Sequence, residues 1–484
     1  MLVLTMSKKS LEVIILAAGL GTRMKSNMPK VVHPVCGVAM LELLMVELDK
    51  VLRSSSAARF NIVIGHGREI VTDLVNALVQ SRRIHSPVAF TVQEQQLGTG
   101  HAVLLALSES KSQQYNDGAV AVFNGDLPLF TSAAFLELLE AHDKAKSSAT
   151  LSSMTVNDPG AYGRVVRKGK SFERVVEYKD ASVKEKSIHE VNGGVYLFDR
   201  KTLVTAIARV GNKNKAGEYY LPRVFELTKK AGKKILAHHF SDPTVLWGVN
   251  NMVELSQAQK ALYKVTATKW MVEGVSFVDA DATYVGPYVK LSRGCTVGPG
   301  TIIEGQSQFG EGVKIGGQCL LKDIIVEEGA VIRHGTCAEK SQIGEKAIVG
   351  PMAHLRPGTV LGAQVKVGNF VEIKESVIGA NTAISHLSYV GDAEVGRRVN
   401  IGCGFVTCNY DGLVREGRRK HKSIIGDDAF IGSDCQVVAP LELAAGTFVA
   451  SGSTVTQSVV EPHSLVVARA KQVTKPGYAR KYKK

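Results

Sequence analysis

The chain has 484 residues, 45% of them apolar and 21% charged, a globular composition that excludes an intrinsically disordered protein and leaves room for two to four domains. Its formal net charge of +14 invites a nucleic-acid reading, yet residues 471–484 hold Lys471, Lys475, Arg480, Lys481, Lys483 and Lys484 with no acid, so six of those charges lie on a short tail and nucleic acid is not expected as a partner. Apolar runs such as Val13–Ala18 fall far short of the ~20 residues that span a bilayer, and no signal-peptide pattern surrounds Glu12 and Arg23, so neither a membrane span nor export is expected and a cytoplasmic protein is.

Glycine divides the chain. Residues 1–280 hold 19 of the 47 glycines, which leaves 28 for the shorter stretch 281–484. The first half alternates β-like runs (Val13–Leu16, Ile62–Ile64, Val88–Val92, Ala119–Phe123, Val195–Phe198) with amphipathic helical patterns such as Met40–Leu52 and Phe135–Ala145. That alternation predicts an α/β domain with a mixed, mostly parallel sheet. The first run ends in Leu16-Ala17-Ala18-Gly19-Leu20-Gly21-Thr22-Arg23-Met24, whose glycines let backbone N–H groups approach a ligand closely. Met24 stands where a Rossmann fingerprint needs a third glycine, and no Walker lysine is present. Arg23 and Lys30 place two cations beside this loop, a charge pattern suited to phosphates, although a surface turn would carry such charges too. Gln93 precedes a second glycine turn, Leu97-Gly98-Thr99-Gly100. Asn124-Gly125-Asp126 closes the Ala119–Phe123 strand, where ligands of open α/β sheets bind, so Asp126 is a magnesium-ligand candidate with helix capping as its alternative. Residues 250–272 contain no Gly or Pro and read as one connecting helix.

In the second half an aliphatic- or Phe-Gly pair recurs in steps of six: Val285-Gly286, Val297-Gly298, Phe309-Gly310, Ile315-Gly316, then Ile343, Val349, Leu361, Val367, Val395, Ile401, Ile425 and Ile431, each followed by glycine. Hexads of this kind specify a β-helix, three hexads per triangular coil. The phase slips between Gly316 and Gly344 and between Gly368 and Gly396, which suggests loops extruded from the coils, and the polar stretch Asn409–Ser423 reads as another loop. Seven scattered cysteines, among them Cys403, form no C-x-x-C pair and suit neither zinc nor a disulfide framework. His386 is isolated in Ser385-His386-Leu387, and such a histidine is more often structural. Leu355–Gly358, Asn369–Lys374 and Val399–Gly402, however, fall one or two coils away and can face the same pocket.

Taken in order, Leu16–Met24, Pro29-Lys30, Gln93–Gly100, Gly125-Asp126, Tyr162-Gly163-Arg164, Val176-Glu177, Val191-Asn192-Gly193 and Gly248-Val249-Asn250-Asn251 resemble the sugar-1-phosphate nucleotidyltransferases. The likeness to the bacterial bifunctional N-acetylglucosamine-1-phosphate uridylyltransferases/glucosamine-1-phosphate N-acetyltransferases runs from about residue 11 to 475. The resemblance implies a uridylyltransferase domain (1–249), a linker helix (250–272), a left-handed parallel β-helix acetyltransferase domain (273–470) and a basic tail (471–484). It implies that Leu16, Ala17, Ala18, Gly19, Gln93, Gly98 and Thr99 contact uridine with Asn124, Gly125 and Asp126 nearby. Gly163, Glu177 and Asn192 would hold the acetylated sugar, Asp126 and Asn250 would share Mg²⁺, and Arg23 and Lys30 would neutralise phosphate charge.

In the second domain His386 would be the general base, and the stacking suggests Glu372 as the residue that orients it. Arg356 and Lys374 would bind the sugar phosphate, with Tyr389 and Asn400 on the sugar. Cys403, Asn409, Tyr410, Ser433, Ser451 and Arg469 match acetyl-CoA positions. Asn124 stands where many relatives carry tyrosine, Cys403 and Ser451 where they often carry alanine, and Leu413–Arg419 is longer than in some. The implied substrates are glucosamine-1-phosphate, acetyl-CoA and UTP, the implied assembly a homotrimer, and the implied product a precursor of the peptidoglycan and cell envelope. A nucleotidyltransferase with a merely regulatory or oligomerising β-helix is the alternative; it would not need His386, Lys374, Asn409-Tyr410 and Arg469 together.

Overall fold

The computed structural model describes residues 10–54, 57–109, 118–412, 420–478 and 480. The chain divides into two compact units, Met1–Ala261 and Leu262–Lys484. Their border falls within the helix Met252–Val272, the segment read from the sequence as a connector. The longer loop at Leu413–Arg419 lies outside the described residues, as do Lys481, Lys483 and Lys484 of the tail.

The first unit is built on a nine-stranded sheet whose main path runs Ile235–His239, Ala149–Thr155, Glu190–Asp199, Ala119–Asn124, Leu11–Leu16, Ala58–Ile64, Val88–Val92. Glu190–Asp199 runs antiparallel to both its neighbours, and the other pairs on this path are parallel, so the sheet is mixed and mostly parallel. Val13, Ile14 and Ile15 are consecutive and all fully buried, because helices cover both faces of the sheet and each successive side chain meets an apolar layer. One layer is centred on Phe60, Phe123 and Phe135, the other on Val122, Phe198 and Phe225. Leu16 and Asn124 are register partners at the carboxyl ends of adjacent parallel strands. The loops that begin at Ala17 and Gly125 therefore leave the sheet side by side, and the Gly125 N–H donates to the Leu16 carbonyl at 3.0 Å.

The second unit is a parallel β-helix of three stacked sheets with 11, 10 and 9 strands, most of them two or three residues long. The second residue of most short strands points inward, as Val285, Leu291, Val297 and Ile315 do, and together they form one continuous apolar core. Emptying one such position, for example Ile373→Ala, would cost ~2–5 kcal/mol.

The two slips of the hexad phase are not extruded loops. Lys314 pairs with Val331 and Val331 with Ile348, offsets of 17 residues where Thr296 and Lys314 are offset by 18. The same shortening recurs at Lys366–Ala383 and Ala383–Asn400. Each slip is thus two coils that lack one residue. Asp323, Lys340, Glu375 and Asp392, at one corner of these four coils, take left-handed φ of 43–52° to make the tighter turn. The stretch from Asn409 does form an insertion, because Asn400 and Phe430 pair across 30 residues.

Candidate active sites

At the carboxyl ends of the first unit's strands lies a cavity of about 900 Å³. Arg23, Thr99, Asn124, Asp126, Gly163, Glu177, Asn192 and Asn250, singled out from seven separate stretches of sequence, all line it. The polar centre is a knot of two cations and two side-chain oxygen ligands. The Lys30 ammonium is paired with Asp126 Oδ2 and lies 3.2 Å from Asn250 Oδ1, which also accepts from Arg23 Nη2 at 2.7 Å. The other carboxylate oxygen, Asp126 Oδ1, is buried with no hydrogen-bond partner among the described residues. A buried carboxylate oxygen without a hydrogen-bond donor costs free energy unless a cation meets it, so the position suits a cation.

Local structure explains how these groups converge. Gly21 takes a φ of 60°, and a Cβ there would come within 2.8 Å of the Lys30 side chain, so glycine lets Lys30 pass beneath the loop toward Asp126. The Val249 N–H donates to the Asp126 carbonyl at 3.0 Å, which ties the loop that carries Asn250 to the loop that carries Asp126.

Of the residues expected at or near the uridine, Thr99, Asn124 and Asp126 line the cavity and the others do not. Gln93 is buried and donates to the Gly98 carbonyl at 3.2 Å, with His101 at 3.1 Å. Gly98 has a φ of 110°, and a Cβ would strike the Tyr219 carbonyl at 2.7 Å. Thr99 Oγ1 accepts from the Leu221 N–H at 3.1 Å. Ala17 and Ala18 are buried, and Leu16, Gly19 and Gly125 complete the strand ends without lining the cavity. Asn124 lies against Gly194, where a Cβ would approach its Nδ2 to 2.4 Å.

On the sugar side, the Asn192 N–H donates to the Gly163 carbonyl at 2.9 Å, and Asn192 Nδ2 donates to the Tyr196 hydroxyl at 2.7 Å. Burial, reinforced by Asp180 and Glu218, pushes the Glu177 carboxyl up to about 7. Sequence reasoning missed Tyr162 as an individual contributor: its hydroxyl accepts from the Gly248 N–H at 3.3 Å, and burial raises its pKa to about 12.

The second site stands on the surface of the β-helix. His386 ends a strand whose register partner is Asn369, and His386 Nδ1 lies 3.0 Å from Asn369 Oδ1. An amide oxygen can only accept, so Nδ1 carries the proton and Nε2 is the free, basic nitrogen. Glu372 does not orient the imidazole; it accepts from Arg356 Nη1 at 2.8 Å on the neighbouring face. Glu372 pairs in register with Tyr389, and Lys374 with Gly391. The Tyr389 hydroxyl accepts from Asn409 Nδ2 at 3.2 Å, and that amide also donates to Asp392 Oδ2 at 2.5 Å. Gly391 makes this crossing feasible, since a Cβ there would strike the Tyr389 hydroxyl at 2.3 Å.

Coil by coil, His386 ends, and Cys403, Ser433, Ser451 and Arg469 follow, strands of the same sheet, so they form one file along one corner. Arg469 Nη1 donates to the Ser451 carbonyl at 2.6 Å. Tyr410, on the second face, is exposed with the Lys420 ammonium 4.4 Å from its ring centroid. Asn400 sits on the first face beside Ala383, away from Tyr389 and Lys374. Asn369 lies in a stretch singled out from the sequence, though with no role of its own; Asp392 was missed, since it carries no motif and only the coil register brings it into play.

The family model described as Nucleotidyl transferase matches residues 12–264, the span that carries the mostly parallel sheet and its strand-end cavity, and it sets the class of the first unit. The β-helix that follows narrows the class further. The chain is 42% identical over 469 residues to the "Bifunctional protein GlmU" of an Exiguobacterium strain, covering 97% of this chain and 99% of that one. Proteins of the same name from Clostridium botulinum (41% identity, 96% of this chain and 97% of that one) and Shouchella clausii (40%, 97% and 98%) are similar along the same span. The chain belongs to the GlmU family of bifunctional transferases, which join uridylyl and acetyl transfer in one polypeptide. Among the described residues no helix is long and apolar enough to cross a membrane.

Proposed function

We propose that the second unit acetylates glucosamine-1-phosphate with acetyl-CoA, and that the first unit then transfers UMP from UTP to the N-acetylglucosamine-1-phosphate formed. In acetyl transfer the glucosamine nitrogen attacks the thioester carbonyl, His386 Nε2 takes the ammonium proton, and the carbon–sulfur bond breaks to release CoA. Arg356 and Lys374 hold the sugar phosphate by charge. The exposed corner file from Cys403 to Arg469, with Asn409 and Tyr410, serves the coenzyme. Because most of these groups, Asn409 apart, lie at the surface of the solenoid, a neighbouring copy in a homotrimer supplies the facing wall.

In uridylyl transfer a phosphate oxygen of the sugar attacks the α-phosphorus of UTP in line, and the α–β bridge breaks to expel pyrophosphate. Arg23 and Lys30 neutralise the charge that gathers on the phosphate oxygens, while Gly163, Glu177 and Asn192 position the sugar. The observation that carries this half is the bare Oδ1 of Asp126, whose other oxygen, Oδ2, is linked through the Lys30 ammonium to Asn250 Oδ1. Two oxygens from the protein suit Mg²⁺, which keeps its remaining positions for water and phosphate. Asp126 and Asn250 would hold it, and when bound it supplies positive charge to the nucleotide phosphates. Both co-substrates are metabolites of the cytoplasm, where we place the enzyme.

The test assays the two half-reactions separately on the purified protein. CoA release from acetyl-CoA should require glucosamine-1-phosphate and survive EDTA. Pyrophosphate release from UTP should require N-acetylglucosamine-1-phosphate and stop with EDTA. Absence of the first activity would leave a nucleotidyltransferase with an oligomerising β-helix.

A further inference from the structure

Asn250 serves the first site through one atom, Oδ1, yet an amide can present either its oxygen or its NH₂. We infer that Glu254 is a positioning residue that locks the Asn250 amide with its oxygen toward the cation side. This rests on the reading above that Asp126 and Asn250 hold the divalent cation.

Glu254 is the third residue of the helix Met252–Val272, and Asn251 caps that helix, its Oδ1 accepting from the N–H groups of Val253 (2.9 Å) and Glu254 (3.0 Å). In an ordinary capping box, a glutamate at this position returns to the N–H of the cap residue itself. Here it reaches one residue further. Glu254 Oε2 accepts from the Asn250 backbone N–H at 2.8 Å and from Asn250 Nδ2 at 3.1 Å, while Oε1 accepts from Asn251 Nδ2 at 2.6 Å.

A carboxylate accepts only, so it can face only the NH₂ end of Asn250. Arg23 and Lys30, on the other side of the amide, donate only and meet its oxygen. A flipped amide would set Oδ1 against a carboxylate and NH₂ against two cations, losing every one of these contacts. Helix capping alone explains none of this, because Asn251 already supplies the cap. The Tyr162 hydroxyl, accepting from the Gly248 N–H, anchors the other end of the same loop.

The test uses Mn²⁺ as the probe, its binding to the full-length enzyme with UTP measured by electron paramagnetic resonance, beside thermal unfolding. Glu254→Gln keeps length and shape but offers one accepting oxygen and a competing NH₂. Mn²⁺ binding should weaken by about 10–100-fold, the range for losing a partner that orients a metal ligand. Binding within twofold of the native enzyme would overturn the role of Glu254. If that variant is unfolded at the assay temperature, Asn251→Ser carries the test. It keeps a capping hydroxyl and removes only the Nδ2 grip on Glu254, so weaker Mn²⁺ binding upholds the inference and unchanged binding overturns it. Asp126→Ala separates the two levels: if it binds Mn²⁺ as well as the native enzyme does, the metal reading itself falls and takes the role of Glu254 with it.

Discussion

In the first unit Asp126 and Gln93 are buried, and the cations that face the cavity already have oxygen partners from the same chain. In the second unit His386 and Tyr410 are exposed, and the Arg356–Glu372 pair is only half-buried on the outside of a solenoid. The difference follows from the folds. A mixed sheet with helices on both faces leaves a crevice at its strand ends, and loops from distant parts of the chain can close around it. A β-helix spends its inward residues on a continuous core and can offer a substrate only its outer faces and corners. A site that orders phosphates and excludes water can therefore be completed within one first unit, whereas the acetyl-transfer site proposed on the solenoid lies open on its outer side.

The widest break in this comparison is a cut through the chain. Residues 1–274, ending after the connector helix, should stay folded, remain monomeric in sedimentation and release pyrophosphate at close to the native rate, with acetyl transfer lost completely. A trimeric fragment would put the subunit contacts in the wrong unit, and a folded but inactive one would mean that the uridylyl site is not self-contained. Next comes Asp126→Ala. Losing the carboxylate that faces the phosphate charge should slow pyrophosphate release by ~10³-fold or more, about 4 kcal/mol, while CoA release continues. Equal loss of both activities without unfolding would count against separate sites.

How well each site could be read from sequence differs in the same way. Asp126, Arg23, Lys30 and Gly98 follow strands or open helices in glycine-marked loops, and a strand that ends in a glycine turn announces a ligand loop before any contact is known. Asn250 was reached only through resemblance, and Glu254 not at all, since a glutamate at a helix start looks like an ordinary cap. In the β-helix the hexad fixes which residues point inward but not which outward residues meet. Stacking alone offers Glu372 as the partner of His386, but Glu372 lies on the neighbouring face, and the coil that lacks one residue sets Asn369 beside the imidazole. The same missing residues made the phase slips resemble loops.

His386→Ala tests the exposed site directly and should cut acetyl transfer by ~10²–10⁴-fold, the range for a lost general base, with uridylyl transfer from N-acetylglucosamine-1-phosphate untouched. Asn369→Ala should cost less, since it removes only the acceptor that keeps the proton on Nδ1. Its signature would be a lower kcat for acetyl transfer with little change in the KM for glucosamine-1-phosphate. Near-normal CoA release by the His386 variant would move the base elsewhere.

The smallest effect sharpens the comparison from the buried side, where the protein sets the pKa of a group that an exposed site would leave alone. Glu177 titrates near 7 instead of the usual 4.5 because burial disfavours its charge, with Asp180 and Glu218 adding repulsion. A carboxyl whose folded pKa is raised is held in its neutral form by the fold. Its contribution to stability is complete below about pH 4.5 and is lost as the pH rises through about 7. Urea unfolding should therefore show stability falling across that window, and Glu177→Gln should remove this part of the slope. Substrate binding should run the other way. If Glu177 accepts a hydrogen bond from the sugar, the ionised form binds better, and the KM for N-acetylglucosamine-1-phosphate should fall severalfold from pH 6 to pH 8 in the native enzyme. The phosphate of the substrate titrates in the same range, but it does so identically for both enzymes, so the difference between their profiles isolates Glu177. Parallel KM profiles for the native enzyme and Glu177→Gln would remove Glu177 from the sugar site, whereas a slope confined to the native enzyme would show that burial has tuned a binding group to the working pH.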